Sequence, residues 1–214
     1  MKILVTGFEP LKGYWKINSS WESVNILPDN IGGSEIIKLQ VPLSFKKSSE
    51  LLEKIIDEIR PDIVISVGQS GLSNGILMER IAVNLNDTDT LVPDNDGDQP
   101  IDRKIANDGP DAYMSSLPVK AMAKALKAKG IPSSISDTAG THLCNHVMYT
   151  VRHIAETKYK WMKSGFIHVP RVMSECVVDR LIEIPPGESH FMDINVMAKA
   201  LEYAIISVIK ECGV

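Results

Sequence analysis

The chain has 214 residues, 44% of them apolar and 23% charged, and its 23 lysines and arginines against 27 acids leave a formal net charge of −4. That balance, without any basic cluster interleaved with aromatics, gives no electrostatic footprint for nucleic acid, and no apolar run of about 18 residues marks a membrane span. The length suits one α/β domain over residues 1–214 with a sizeable core.

The N-terminal stretch from Met1 to Glu9 enters a strand pattern directly, without an apolar signal core or cleavage site, so no secretory signal is expected. Residues 2–6 form a short β-branched run, followed by a Gly/Pro-containing loop and a short helix over residues 20–27. A second strand is predicted at 36–42. Residues 44–60 place Phe45, Leu51, Ile55, Ile56 and Ile59 at near-helical spacing, and Pro61 stops the helix. Residues 62–67 are an uninterrupted apolar strand of the kind covered on both faces. A further strand is expected over 76–85, interrupted by Glu79 and Arg80.

From Asn86 to Pro100 the chain turns acidic, with Asp87, Asp89, Asp94, Asp96 and Asp98, and reads as surface loop up to about residue 116, with room for one short strand. Pro118 opens a helix that runs to Lys129 and closes at Gly130. A strand at 131–136, a helix at 143–157 and a strand at 165–169 follow. Residues 193–211 carry Ile194, Met197, Leu201, Ala204, Ile205 and Val208 on one face, the mark of an amphipathic helix. Alternating strands and helices predict a mostly parallel or mixed sheet flanked by helices on both sides.

The chemistry concentrates in two places. Asp137-Thr138-Ala139-Gly140-Thr141-His142 is a small-residue turn that delivers Cys144 to the start of a helix. Backbone N–H groups there favour a thiolate and can form an oxyanion hole, which makes this a cysteine counterpart of the nucleophile elbow. Cys176 and Cys212 lack that setting; Cys212 sits at a helix end, where the dipole disfavours a thiolate. The odd total of three cysteines argues for reduced thiols and a cytoplasmic location.

Five histidines compete to be the base: His142, His146, His153, His168 and His190. His142, Cys144 and His146 spell a tempting zinc motif, but position i+2 lies on the far side of the helix from i and i+4. His168 stands near the carboxyl end of a short buried strand, where active groups of open α/β sheets gather, and is the better base. Glu79 is a carboxylate inside an apolar strand. Its neighbour Arg80 points to the opposite face, so a histidine N–H is the partner that would offset its burial. Cys144 as nucleophile, His168 as base and Glu79 as orienter form one catalytic proposal.

Two stretches are set aside. Gly68-Gln69-Ser70-Gly71 misses the serine elbow by one position. In Asp94-Asn95-Asp96-Gly97-Asp98, a calcium-loop register would put Val92 and Arg103 on ligand positions, so a solvated turn is expected.

These segments together resemble the pyrrolidone-carboxyl peptidases (pyroglutamyl peptidases type I). The resemblance runs in order through Val5-Thr6-Gly7-Phe8-Glu9-Pro10, Asn18 with Trp21-Glu22-Ser23-Val24, Val67-Gly68-Gln69, and Glu79-Arg80-Ile81-Ala82-Val83-Asn84. It continues through Pro93-Asp94-Asn95, Thr138-Ala139-Gly140-Thr141 with Cys144-Asn145, and Gly165-Phe166-Ile167-His168-Val169-Pro170.

The resemblance implies a single-domain three-layer α/β/α sandwich with Cys144, His168 and Glu79 as the triad. It also implies a cytoplasmic exopeptidase without metal or cofactor, acting on peptides with N-terminal pyroglutamate, assembled as a homo-oligomer and often a tetramer. By the same analogy Phe8 walls the pyroglutamyl slot, and Asn18 and Gln69 are its polar contacts. Leu11-Lys12-Gly13 stands where relatives have Phe-Gly-Gly, so Leu11 makes the second wall aliphatic in a loop one residue longer. Residues 89–92 lack the arginine common before Pro93, and Ser19 replaces a usual proline. Two rivals follow: a non-catalytic binding relative of the same fold, and a nucleoside-phosphorylase-like enzyme, for which no clear Gly-rich phosphate cradle is found.

Overall fold

A computed structural model describes residues 1–71, 73–172 and 191–212. The strands are β1 (Lys2–Phe8), β2 (Asn30–Ile31), β3 (Ser34–Val41), β4 (Ile63–Gln69), β5 (Ile76–Glu79), β6 (Ile81–Val83), β7 (Ala112–Met114), β8 (Ser133–Ser136) and β9 (Lys163–Val169). The helices are α1 (Ser19–Asn25), α2 (Phe45–Ile59), α3 (Val119–Lys127), α4 (Leu143–Thr157) and α5 (Ile194–Cys212).

Local chemistry sets the boundaries. Asn18 caps α1 by accepting the Ser20 N–H at 3.1 Å, and Ser44 caps α2 by accepting that of Lys47 at 3.3 Å. The last turn of α2 ends at Arg60 in the left-handed region (φ 50°), and Pro61 prevents continuation. The strand expected over 76–85 is broken at Arg80 into β5 and β6, and β6 leaves the main sheet to pair with β7. The two-residue β2 is too short to leave a periodicity.

Seven strands form one sheet in the order β2-β3-β1-β4-β9-β5-β8. The β3, β1, β4 and β9 strands are mutually parallel; β5 runs antiparallel to β9, and β8 runs parallel to β5. The sheet is therefore mixed. One face packs against α1, α3 and α5 through Val24, Met122, Leu126, Leu201 and Ile205. The other packs against α2 and α4 through Leu52, Ile56, Val147 and Val151. The central strand β4 is buried from Ile63 to Gly68, which matches its unbroken apolar run. Helices on both faces of one sheet make the α/β/α sandwich.

The reversal of β5 matters for chemistry. In register, His168 of β9 lies beside Gly68 of β4 on one side and Leu77 of β5 on the other, while Glu79 is level with Phe166. Side chains two apart on a strand share a face. Glu79, Phe166 and His168 thus all point to the side occupied by α4.

Candidate active site

The turn from 137 to 142 connects β8 to α4 and bends through Gly140 at φ +78°, a conformation that glycine adopts without steric cost. His142 is the N-cap residue, so Cys144 is the second residue of α4. The first helical bond runs from the His146 N–H to the His142 carbonyl at 3.0 Å. The N–H groups of Leu143, Cys144 and Asn145 therefore precede the helix's own acceptors and are free to face negative charge. Asn145 fixes this turn against β6: its Oδ1 accepts the Val83 N–H at 2.9 Å, and its Nδ2 donates to the Val83 and Leu85 carbonyls at 2.9 and 3.0 Å.

The sulfur reaches the sheet because residue 68 has no side chain. A Cβ built on Gly68 would lie 2.8 Å from Cys144 Sγ and 2.7 Å from Phe166 Cζ. Sequence reasoning passed over Gly68 as part of a failed serine elbow; the vacancy it leaves is visible only when three elements are stacked.

Glu79 is fully buried and His168 is 7% exposed. The His168 Nδ1–H donates to Glu79 Oε1 at 2.7 Å, leaving Nε2 as the ring nitrogen for the hydrogen bond with the Cys144 thiol. Burial alone would push the imidazole down. The charge of Cys144 and its hydrogen bond, followed by the hydrogen bond and charge of Glu79, outweigh that and raise His168 from 6.5 to about 10. The Phe166 ring packs edge-on against the imidazole with centroids 5.0 Å apart. Arg80 turns away and pairs with Asp137 at 2.6 Å, as strand alternation requires.

Beside the sulfur lies a cavity of about 480 Å³. The four residues expected to contact substrate, Phe8, Leu11, Asn18 and Gln69, all line it, as does Cys144. Phe8 and Leu11 are buried walls. Asn18 Oδ1 is committed to Ser20, at 3.1 Å from its N–H and 2.7 Å from its hydroxyl, while its Nδ2 donates to the Glu9 carbonyl at 3.2 Å. Gln69 Oε1 accepts from both the N–H and the hydroxyl of Ser19 at 2.8 Å. Trp15, Leu43, Thr90, Leu91, Val92, His142 and Leu143 also line the cavity and are not among the expected contacts. Three of them belong to the stretch where the expected arginine is absent. The aromatic Trp15 was the one available signal.

The turn expected around 94–98 is present, with Asp96 and Gly97 exposed, but Asp94 within it is not solvated. Asp94 is 5% exposed; its carboxylate accepts the N–H groups of Phe45, Asp96 and Asp98 at 2.8–2.9 Å. Asn95 ties the same loop to the first one, accepting from Lys12 N–H at 2.8 Å and donating to Glu9 Oε1 at 2.8 Å and the Pro10 carbonyl at 3.0 Å. The acidic loop thus holds one rim of the cavity to the other.

The remaining histidines have other duties. His142 Nε2 donates to the Val92 carbonyl at 2.9 Å, and burial lowers its pKa. His146 is buried between Ser49, 2.7 Å from its Nε2, and Asn86, and desolvation pushes it down to about 4, so it stays neutral. His153 meets the Tyr113 hydroxyl at 3.0 Å, remote from Cys144. Burial pushes the Cys212 thiol up. Cys176 and His190 lie outside the described residues. Among the described residues no cluster of His, Cys, Asp or Glu is arranged to hold a metal ion.

Comparison with known proteins agrees with this fold. The model of the pyroglutamyl peptidase family matches residues 1–211. A pyrrolidone-carboxylate peptidase of Finegoldia magna is 48% identical over 209 residues, covering 98% of this chain and 93% of the relative. Among crystal structures, pyroglutamyl peptidase I of Bacillus amyloliquefaciens superposes with a TM-score of 0.88 at 34% identity, covering 98% of this chain and 97% of that one. A mutant pyrrolidone carboxyl peptidase of Pyrococcus furiosus gives 0.90 at 38% identity, with 99% of each chain covered. The chain belongs to the pyroglutamyl peptidase family.

Proposed function

We propose that this chain is a cysteine exopeptidase that hydrolyses the bond after an N-terminal pyroglutamyl residue, with Cys144 as nucleophile, His168 as general base and then acid, and Glu79 as the orienter of His168. The observation that carries the reading is the position of His168: it bridges a fully buried carboxylate to a helix-start thiol at the edge of an apolar cavity.

In this mechanism the thiol proton has already passed to His168 Nε2, and the thiolate sulfur attacks the pyroglutamyl carbonyl carbon. The C–O double bond opens to an oxyanion held by N–H groups of the first turn of α4. The C–N bond then breaks, its electron pair takes the proton from the imidazolium, and the amine-terminated peptide departs. Water adds to the thioester and passes a proton to His168; collapse releases pyroglutamate and restores the thiolate beside the protonated ring. Glu79 stabilises the imidazolium and keeps Nδ1 protonated, so that Nε2 always faces the sulfur. The reading assigns every step to side chains and backbone, with no metal or cofactor.

A pyroglutamyl ring is a closed lactam without a free amine, so its slot needs apolar walls and a few hydrogen-bonding groups rather than an acidic anchor. Phe8 and Leu11 serve as walls, and Gln69, with Asn18 at the rim, as the polar contacts. The chain works as one domain in the cytoplasm, in keeping with a thiol that must stay reduced, and as a homo-oligomer, the tetramer that the resemblance implies. Among the described residues no helix is long and apolar enough to cross a membrane.

The test is release of a fluorophore from a pyroglutamyl amide under reducing conditions. Wild type should cleave, and Cys144→Ala should lose several orders of magnitude, because a triad acts as a unit. No cleavage by wild type would favour a non-catalytic binding relative.

A further inference from the structure

The cavity beside Cys144 has room for more than one small ring. At about 480 Å³ it falls within the range of about 300–1,000 Å³ that encloses drug-sized ligands, well above what a single lactam fills. A peptide that begins with pyroglutamate has chain on one side of its scissile bond only. Its ring can enter the closed part of the cavity, while every later residue must run toward the opening.

Exposure tells the two parts apart. Phe8, Leu11, Leu43 and Leu143 are buried. Among the described residues of the lining, Thr90 and Leu91 are the exposed ones, Leu91 at 47%. The lining therefore meets solvent at Thr90 and Leu91, and a departing peptide passes them.

That stretch is held in place by hydrogen bonds. The Thr88 N–H and hydroxyl both donate to the Pro100 carbonyl, at 2.8 and 3.1 Å. The Leu91 N–H donates to the Thr88 carbonyl at 2.9 Å, and the Leu91 carbonyl accepts from Gln99 Nε2 at 2.8 Å. Next along the chain, the Val92 carbonyl accepts from Nε2 of His142, the N-cap residue of α4, at 2.9 Å. With its N–H and carbonyl both paired, Leu91 offers the opening only its isobutyl group. One exposed leucine is ordinary on a protein surface. One fixed at the mouth of a cavity that holds a nucleophile can cover a ligand without first having to be ordered.

We propose that Leu91 is a specificity-determining residue: its side chain packs on the residue that follows pyroglutamate and selects an apolar side chain there. This inference rests on the peptidase reading above and deepens it, by naming what the leaving side of the cavity takes. An apolar contact present when the sulfur attacks raises kcat/KM, because that constant counts every interaction made in the transition state. A polar side chain of the same shape gives up water against Leu91 and gains no hydrogen bond there, since the backbone groups are already paired.

The test uses pyroglutamyl-leucine amide and pyroglutamyl-asparagine amide, whose variable side chains have nearly the same shape and differ in polarity. Release of leucinamide or asparaginamide gives kcat/KM for each, and the ratio is taken within one preparation, so that an inactive fraction cancels. Wild type should favour the leucine substrate about 3- to 10-fold, as expected for partial burial of one apolar side chain. In Leu91→Asn the ratio should fall toward unity, with Leu91→Ala serving if that variant does not fold. Leu91→Met, which keeps an apolar side chain of similar volume, should retain the preference. Equal wild-type rates on the two substrates, a ratio that survives in Leu91→Asn or Leu91→Ala, or a ratio lost in Leu91→Met would overturn the inference and leave the peptidase reading intact. No cleavage of either substrate by wild type would instead overturn the reading, and the inference with it.

Discussion

A buried carboxylate is costly unless a donor faces it, and Glu79 meets that condition through one imidazole N–H at 2.7 Å. The same contact shapes the pH profile. Burial opposes the charge on His168, but Cys144 and Glu79 together hold the ring protonated up to about 10. Because the folded-state value is raised, the stability linked to the protonated ring is fully present below the ordinary 6.5 and is lost as pH rises through about 10. Glu79→Gln keeps the shape and removes the charge. It should move the alkaline limb of kcat/KM to lower pH and reduce kcat; a limb that stays in place would show that Glu79 does not act through His168. Gly68 offers a second residue-level test. In Gly68→Ala a methyl would stand 2.8 Å from Sγ and 2.7 Å from the Phe166 ring, so one of them must move. A displacement of that size should lower kcat about 100-fold while leaving the circular dichroism of the fold intact.

At the scale of elements, the start of α4 does the positioning and Asn145 holds it. Two of its three hydrogen bonds go to Val83 of β6 and one to Leu85 just beyond it; the Val83 carbonyl keeps the Leu85 N–H, so Asn145→Ala strands the Leu85 carbonyl and the Val83 N–H in a part-buried place. The variant should lose about 3 kcal/mol of stability in urea unfolding, and its activity should fall through misplacement of the helix start. Much at this scale was readable in advance. The α4 span matches its predicted limits, because a small-residue turn with Gly140 before a 3.6-periodic run marks a helix start. The β5 direction was not readable, since an apolar run looks the same whichever way it crosses the sheet. The placement of Trp15 was hidden for another reason: it depends on the first loop being tied to the acidic loop through Asn95, more than eighty residues away. Asp94 was misjudged similarly, as nothing local reveals that the N–H of Phe45 will reach it at 2.9 Å.

For the whole molecule, the sheet order β4-β9-β5 explains why residues from distant segments meet. Two neighbouring strands bring His168 and Glu79 together, a third leaves the gap at Gly68, and one helix enters from the face above. The three proposed catalytic side chains therefore rest on regular elements, whereas the cavity walls come partly from loops, Leu11 and Val92 among them, and partly from β1 through Phe8. That division predicts that loop changes alter KM and substrate preference more than the chemical step. It also predicts that iodoacetamide abolishes activity while a chelator leaves it untouched; loss of activity to the chelator, reversed by added metal, would contradict the assignment of the chemistry to side chains.

The covalent step is the centre of the account, and rapid-quench mass spectrometry reaches it directly. During turnover of a pyroglutamyl ester, the peptide containing Cys144 should carry a pyroglutamyl thioester that disappears as substrate is exhausted. Undiminished turnover in Cys144→Ala, with no adduct on that peptide in wild type, would contradict it.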